Sequence, residues 1–171
     1  MVHCGGKWGE VAIFSHYLYY KWEILIEMFL GEYHRTIDSK RRIFIPSKFR
    51  EDLIRGMVVS KGFDENCLFL FSKDGWQKLE EKILSNPLAK RSIQGFSRWF
   101  FSSASEESLD QQGRIRIPQS LMIHAGLKKD IVLVGVSDRA EIWPEEVWEK
   151  YYNKADDQFT MDKNAFEELG F

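Results

Sequence analysis

Cysteine is scarce in this chain. Cys4 and Cys67 are the only two, they lie far apart, and neither a CxxC nor a histidine at metal-ligand spacing accompanies them. That excludes a disulfide framework and gives no support to a metal site, so the expected setting is a reducing cytoplasm. Charge of one sign is also lacking: 24 Lys and Arg stand against 26 Asp and Glu, for a formal net charge of -2 and a pI near 6.1. So balanced a chain has no bulk affinity for polyanions, and any nucleic-acid contact must come from a local patch. Long apolar runs are missing as well. The richest N-terminal stretch, Val11 to Leu30, is interrupted by Ser15, His16, Lys21, Glu23 and Glu27, which excludes a membrane span there. As a signal peptide it lacks a continuous apolar core and a small-residue cleavage site.

Catalytic signatures are equally thin. There is no GxSxG, HExxH or Walker sequence, Gly5-Gly6-Lys7-Trp8 lacks the hydroxyl residue after its lysine, and His3, His16, His34 and His124 are scattered. The expectation is a protein that is not an enzyme and takes no cofactor, metal or small-molecule substrate.

What the chain does contain is a duplication. Asp38, Arg42, Ile43, Ile45 and Pro46 recur 72 positions later as Asp110, Arg114, Ile115, Ile117 and Pro118, and Trp76 recurs as Trp148. A spacing kept over so many positions implies two copies of one structural unit, arranged as a pseudo-twofold pair around a shared core. The 44% hydrophobic share, with 15% aromatics, is enough to fill that core.

Within the first copy, Gly31 to Thr36 and Arg42 to Pro46 flank the polar tract Asp38-Ser39-Lys40-Arg41, which reads as a hairpin with its basic residues at the turn. Alternation puts Ile43 and Ile45 on one face of the second arm and Arg42 and Phe44 on the other. Ser47 is the expected cap of a short helix from Lys48 to about Ile54, ended by Gly56. A strand Met57 to Lys61, a turn at Asp64-Glu65-Asn66, a strand Cys67 to Phe71 and an amphipathic helix from Ser72 or Lys73 follow, the helix carrying Trp76, Leu79 and Ile83 at helical spacing. Asn86-Pro87 breaks the chain before a helix Leu88 to Phe101. The second copy predicts a tip at Asp110-Gln111-Gln112-Gly113, a strand Arg114 to Pro118, a helix Gln119 to His124 and strands Asp130 to Val136 and Ala140 to Trp143. A helix from Pro144 through Tyr152 and an acidic tail from Asp156 complete it. Residues 1–27 do not share this logic. They are expected to be either translated upstream sequence before a start at Met28 or an N-terminal helix over Tyr17 to Met28.

Charge is segregated along the chain. His34 to Arg55 holds Arg35, Lys40, Arg41, Arg42, Lys48, Arg50 and Arg55 against three acids, whereas acids outnumber lysines after Pro144. An aspartate four residues before an arginine can hold a guanidinium in a fixed orientation, and an oriented arginine reads phosphate or guanine. The plainer alternative is an ion pair that pins a turn. A built-in cation also depresses the carboxylate pKa, which removes Asp38 and Asp110 as acid-base catalysts. Asp38, Asp110 and Arg114 are therefore expected to be structural turn residues. Only the first tip is cationic, so Lys40, Arg41 and Arg42 are expected to form the contact surface and the second tip the scaffold. Trp99, Phe100 and Phe101 are candidates for base stacking, but at helical spacing the core or a subunit interface is the stronger expectation.

From Met28 to about Tyr152 the sequence resembles the MraZ family of bacterial regulators of the division and cell-wall gene cluster. The resemblance rests on Met28-Phe29-Leu30-Gly31-Glu32, Asp38-Ser39-Lys40, Arg42, Ile45-Pro46, Phe49-Arg50, Cys67-Leu68, Phe96-Ser97-Arg98, Asp110, Gly113-Arg114, Ile117-Pro118, Ala125-Gly126-Leu127 and Glu141-Ile142-Trp143. It implies an α+β, β-rich fold, a duplicated AbrB-like (SpoVT-AbrB) swapped-hairpin β-barrel that forms a pseudo-dimer within one chain, with flanking helices. The corresponding divisions are an extension over 1–27, unit one over 32–76, a helical linker over 77–103, unit two over 104–147 and a helix with acidic tail over 148–171. It further implies a nucleoid-associated homo-oligomeric ring, of eight or more chains, that binds direct repeats in double-stranded promoter DNA, its own included, and usually represses. Lys40 and Arg42 fall on the family's DNA-contact positions; Arg35 and Lys48 join them as candidates on charge alone. Arg41 departs from the family, which usually has glycine there. If the position needs a positive φ, the arginine costs roughly 1 kcal/mol. A ring-forming scaffold whose basic tip meets an acidic protein is the alternative function.

Overall fold

The computed structural model describes residues 28–63, 66–85 and 91–161, with side chains to residue 155. Of the expected helix Tyr17 to Met28 only Met28 is described, and it is not helical; the turn residues Asp64 and Glu65, the Asn86-Pro87 break and the acidic tail beyond residue 161 lie outside the described residues.

Two antiparallel sheets carry the fold. Their strands are β1 (Phe29–Thr36), β2 (Arg42–Phe44), β3 (Met57–Lys61), β4 (Leu68–Ser72), β5 (Ser105–Glu107), β6 (Arg114–Arg116), β7 (Asp130–Ser137) and β8 (Ala140–Pro144). The helices are α1 (Ser47–Leu53), α2 (Lys73–Leu84), α3 (Arg91–Phe101), α4 (Gln119–His124) and α5 (Glu145–Met161). One sheet has six strands in the order β1-β7-β8-β4-β3-β5, and the other pairs β2 with β6. Read from either end, the six-strand order exchanges each strand of one repeat for its counterpart in the other. The pseudo-twofold axis runs through two cross-strand pairs whose members are 72 positions apart, Ile43 with Ile115 and Phe69 with Glu141.

The expected hairpin is therefore only half correct. Its turn closes, with Asp38 N donating to Arg42 O at 2.9 Å and Arg41 N to Asp38 O at 2.9 Å. Its arms do not pair with each other: β1 runs along β7 and β2 along β6, both in the other repeat. The reason is the apolar face that alternation creates. Ile43, Ile45, Ile115 and Ile117 are 0–1% exposed because the two short strands lie side by side and close one core over the six-stranded sheet. Strand exchange between the repeats makes that core common property.

Alternation also explains how the sheet is covered on both sides. Leu68 and Leu70 of β4, Leu133 of β7 and Ile142 of β8 face the core under β2, β6, α1 and α4, while Phe69, Phe71, Val132 and Trp143 face a second, aromatic core under α2, α3 and α5. The repeated tryptophans Trp76 and Trp148 both belong to this second core. Phe100 is fully buried in it, stacked 5.2 Å from Trp76 and 5.5 Å from Phe96, so the core reading of the linker aromatics holds for it. Trp99 remains partly exposed, with the Lys61 ammonium 5.2 Å from its ring.

Element boundaries follow local chemistry with small corrections. Ser47 does not cap α1; Pro46 occupies the cap position and supplies no side-chain bond, its carbonyl accepting from Phe49 N at 2.9 Å. The fixed proline φ starts the helix without needing a donor. Pro118 repeats this at α4. Ser72 does cap α2, its Oγ accepting from Gly75 N at 2.9 Å. The last helix runs to Met161, well past the expected Tyr152. His34 is a surface residue, bonded through Nδ1 to Glu145 at 2.6 Å.

Candidate nucleic-acid interface

Both tight turns are built by the same carboxylate. In the first, Asp38 Oδ1 accepts the backbone N–H groups of Lys40 at 2.8 Å and Arg42 at 2.9 Å, while Oδ2 accepts from Arg42 Nε at 2.7 Å and Nη2 at 2.7 Å. In the second, Asp110 Oδ1 accepts from the N–H groups of Gln112 and Arg114, and Oδ2 from Arg114 Nε and Nη2 at 2.8 Å each. One oxygen shapes the backbone and the other holds the guanidinium. The pinning role expected for Asp38, Asp110 and Arg114 is thus present in the geometry, and Arg42 shares it.

These bonds depress both carboxyl pKa values. The Arg42 guanidinium, and then the Arg42 N–H, hold Asp38 down at about 2; the Arg114 N–H and guanidinium lower Asp110 in the same way. A carboxyl whose folded pKa lies below its unfolded value contributes stability above about pH 4, and that contribution disappears as pH falls through the folded value. The urea midpoint is expected to drop between about pH 4 and pH 2, with a shallower drop in an Asp38→Asn, Asp110→Asn double variant. Parallel curves for the two proteins would refute the assignment.

The turns differ in what they display. A surface depression of about 450 Å³ is lined by Ser39, Lys40, Arg41, Arg42 and Arg116. Lys40 is exposed, and no ion pair or hydrogen bond holds its ammonium among the described residues. Arg41 has φ +61, and its counterpart Gly113 has φ +76, so the position does require left-handed backbone. Arg41 O accepts from Ile117 N at 2.8 Å and Gly113 O from Ile45 N at 3.0 Å, a reciprocal clasp between the repeats. Arg42 is 28% exposed and Arg114 16%, because the Arg114 guanidinium lies 5.5 Å over Phe44, which shields it.

Of the candidates read from the sequence, Lys40, Arg41 and Arg42 come together at this depression. Arg35 and Lys48 do not line it. Arg35 lies on β1, donating to the carbonyl of His34 at 2.7 Å and stacking 5.7 Å over Tyr33, and Lys48 is exposed on α1. Arg116 is the residue sequence reasoning missed. The signal was available: alternation places Arg116 on the outer face of its strand, and pairing the two repeat strands antiparallel puts it opposite Arg42.

The family model described as "MraZ protein, putative antitoxin-like" matches the chain twice, over residues 28–98 and 100–169, one turn in each match. The chain belongs to the MraZ family. Transcriptional regulator MraZ of Alkaliphilus metalliredigens (strain QYMF) is 46% identical over 143 residues, 84% of this chain and 99% of that protein. The Clostridium tetani (strain Massachusetts / E88) protein of the same name is 48% identical over 143 residues, with the same shares. That of Caldanaerobacter subterraneus subsp. tengcongensis is 48% identical over 132 residues, 77% of this chain and 92% of that protein. These relatives are named as transcriptional regulators. The fold described above is the duplicated AbrB-like arrangement of exchanged hairpins that MraZ membership implies.

Proposed function

We propose that the chain is a sequence-specific DNA-binding transcriptional regulator that represses a division and cell-wall gene cluster, its own promoter included. It binds direct repeats in double-stranded DNA as a homo-oligomeric ring, in the cytoplasm at the nucleoid. The observation that carries this reading is the cluster of Lys40, Arg41 and Arg42 on a turn held rigid by Asp38. Lys40 and Arg41 offer charge to phosphate or guanine, and Arg42 presents the outer side of an already oriented guanidinium. Arg35 and Lys48 serve as outlying phosphate contacts. No catalytic step belongs to this function.

One turn of this kind binds DNA weakly. Repetition around a ring makes each later contact intramolecular and raises avidity by roughly 10² to 10⁴. Acidic α5, with Glu145 and Glu146 in its first turn, faces away from the duplex in such an arrangement. The test is fluorescence anisotropy with a labelled duplex from upstream of the chain's own gene and a scrambled duplex, each at 50 and 200 mM salt. Selective binding that weakens with salt is expected, with a slope of about 0.9 per phosphate neutralised. Equal, salt-insensitive binding to both duplexes, or none at either, would overturn the reading.

A further inference from the structure

We infer that the DNA-contact surface is composite, built from both repeats, and that Arg41 and Arg116 are two of its recognition residues. This rests on the DNA-binding reading and deepens it. The argument comes from comparing the depression with its own pseudo-symmetric counterpart. Ser39, Lys40, Arg41, Arg42 and Arg116 line it; shifting each by the 72-residue repeat gives Gln111, Gln112, Gly113, Arg114 and Phe44. Four cations on one side correspond to one on the other.

The asymmetry has two sources. Unit one contributes Lys40 and Arg41 where unit two has Gln112 and Gly113. Unit two contributes Arg116 where unit one has Phe44. Because β2 and β6 run antiparallel, Arg116 lies opposite Arg42, and Phe44 lies opposite Arg114. Both substitutions therefore add charge to the same end of the β2–β6 ribbon and remove it from the other. Asp38 holds the Arg42 guanidinium, whereas no ion pair or hydrogen bond holds that of Arg116, in register across the strand pair, among the described residues. This juxtaposition suits a polyanion.

Arg41 carries the same message through its backbone. A side chain at Gly113 would be strained by its positive φ and would have to displace the Arg50 guanidinium that covers it. At the matching turn Arg41 keeps φ +61 with a full side chain, a conformation in which glycine is the unstrained residue. Nor is the side chain fully repaid by local bonds. Nη1 donates to Gln119 Oε1 at 3.0 Å, while Nε is buried with no hydrogen-bond partner among the described residues. Arg41 also borders a neighbouring depression of about 440 Å³ lined by Gln119, Met122, Ile123, Gly126, Leu127 and Lys128, which leaves its guanidinium room to leave Gln119 for a phosphate.

The test measures thermal midpoints and anisotropy binding of the upstream duplex for Arg41→Gly, Arg116→Ala, Lys40→Ala and Gln112→Ala. Arg41→Gly is expected to raise the midpoint by roughly 2–4 °C while weakening binding roughly threefold per engaged subunit. A residue with only a structural role does not gain stability and lose affinity together. Arg116→Ala is expected to leave the midpoint unchanged and to lower the salt slope by about 0.9 per engaged subunit. Gln112→Ala, on the counterpart tip, leaves binding as it was. If Lys40→Ala weakens binding while Arg41→Gly and Arg116→Ala do not, the composite surface is wrong and the DNA-binding reading survives. If the unaltered protein ignores the duplex, that reading fails first and takes the inference with it.

Discussion

Replacing Phe100 with alanine lowers stability by about 3–5 kcal/mol, which corresponds to a thermal midpoint lower by roughly 6–20 °C. Phe100 is the one fully buried residue of α3 and lies in the second core, its ring among those of Trp76, Phe63, Phe96 and Phe101. Trp76 stacks on it at 5.2 Å and Phe96 at 5.5 Å; Phe63 and Phe101 approach at 5.1 and 5.6 Å. Stiff aromatic neighbours cannot collapse into the space that alanine leaves, so the cavity cost adds to the lost transfer energy in full. Trp99→Ala, one position away but 38% exposed, is expected to cost well under half as much. Guanidinium unfolding curves of the two variants check the pair. A Phe100→Ala protein within about 1 kcal/mol of the unaltered one would show that the second core does not anchor α3.

The second large effect is on binding. Lys40→Ala leaves the fold untouched, because the Lys40 side chain is exposed and the turn uses only its backbone N–H, bonded to Asp38 at 2.8 Å. A single lost phosphate contact weakens binding only about threefold. In a ring that engages several repeats the loss recurs at every engaged subunit, and the expected fall in affinity is on the order of 10²-fold or more. Arg42→Ala weakens binding too, but by a different route: it removes both guanidinium bonds to Asp38 Oδ2 and loosens the turn itself. Arg114→Ala damages folding before binding, since Arg114 is the more buried, bonds Asp110, approaches Asp38 at 4.0 Å across the repeats and stacks on Phe44. Anisotropy titration beside a thermal melt separates the three. Lys40→Ala binding at the unaltered affinity would remove the exposed tip from the contact surface.

Much of this was legible along the chain because it is local. The Asp38 and Asp110 turns close within four residues, so carboxylate, guanidinium and backbone donors are all visible in one short string. The same holds for the helix from Gln119 to His124, whose ends match expectation at both residues, and for the Gly56 stop, where φ is +112. Ser47 misled because its hydroxyl marks a cap in the abstract, whereas the preceding proline already had the backbone angles a helix start needs. Arg116 is not legible as part of the cationic cluster along the chain, because its relevant neighbour is Arg42, across a strand pair.

The duplication, the chemistry of the two turns, the excess of cations on the first of them and the positions of most elements belong to the sequence alone, since each depends on contacts a few residues apart or on periodicity. Tertiary structure decided which strands pair, and with that which side chains share a surface. An arm of either hairpin has an apolar face that its own partner arm cannot cover, and the free energy of burying Ile43, Ile45, Ile115 and Ile117 together is gained only when the repeats exchange strands. That exchange brought Arg116 beside Lys40, Arg41 and Arg42, and set Phe44 over Arg114 at the opposite end.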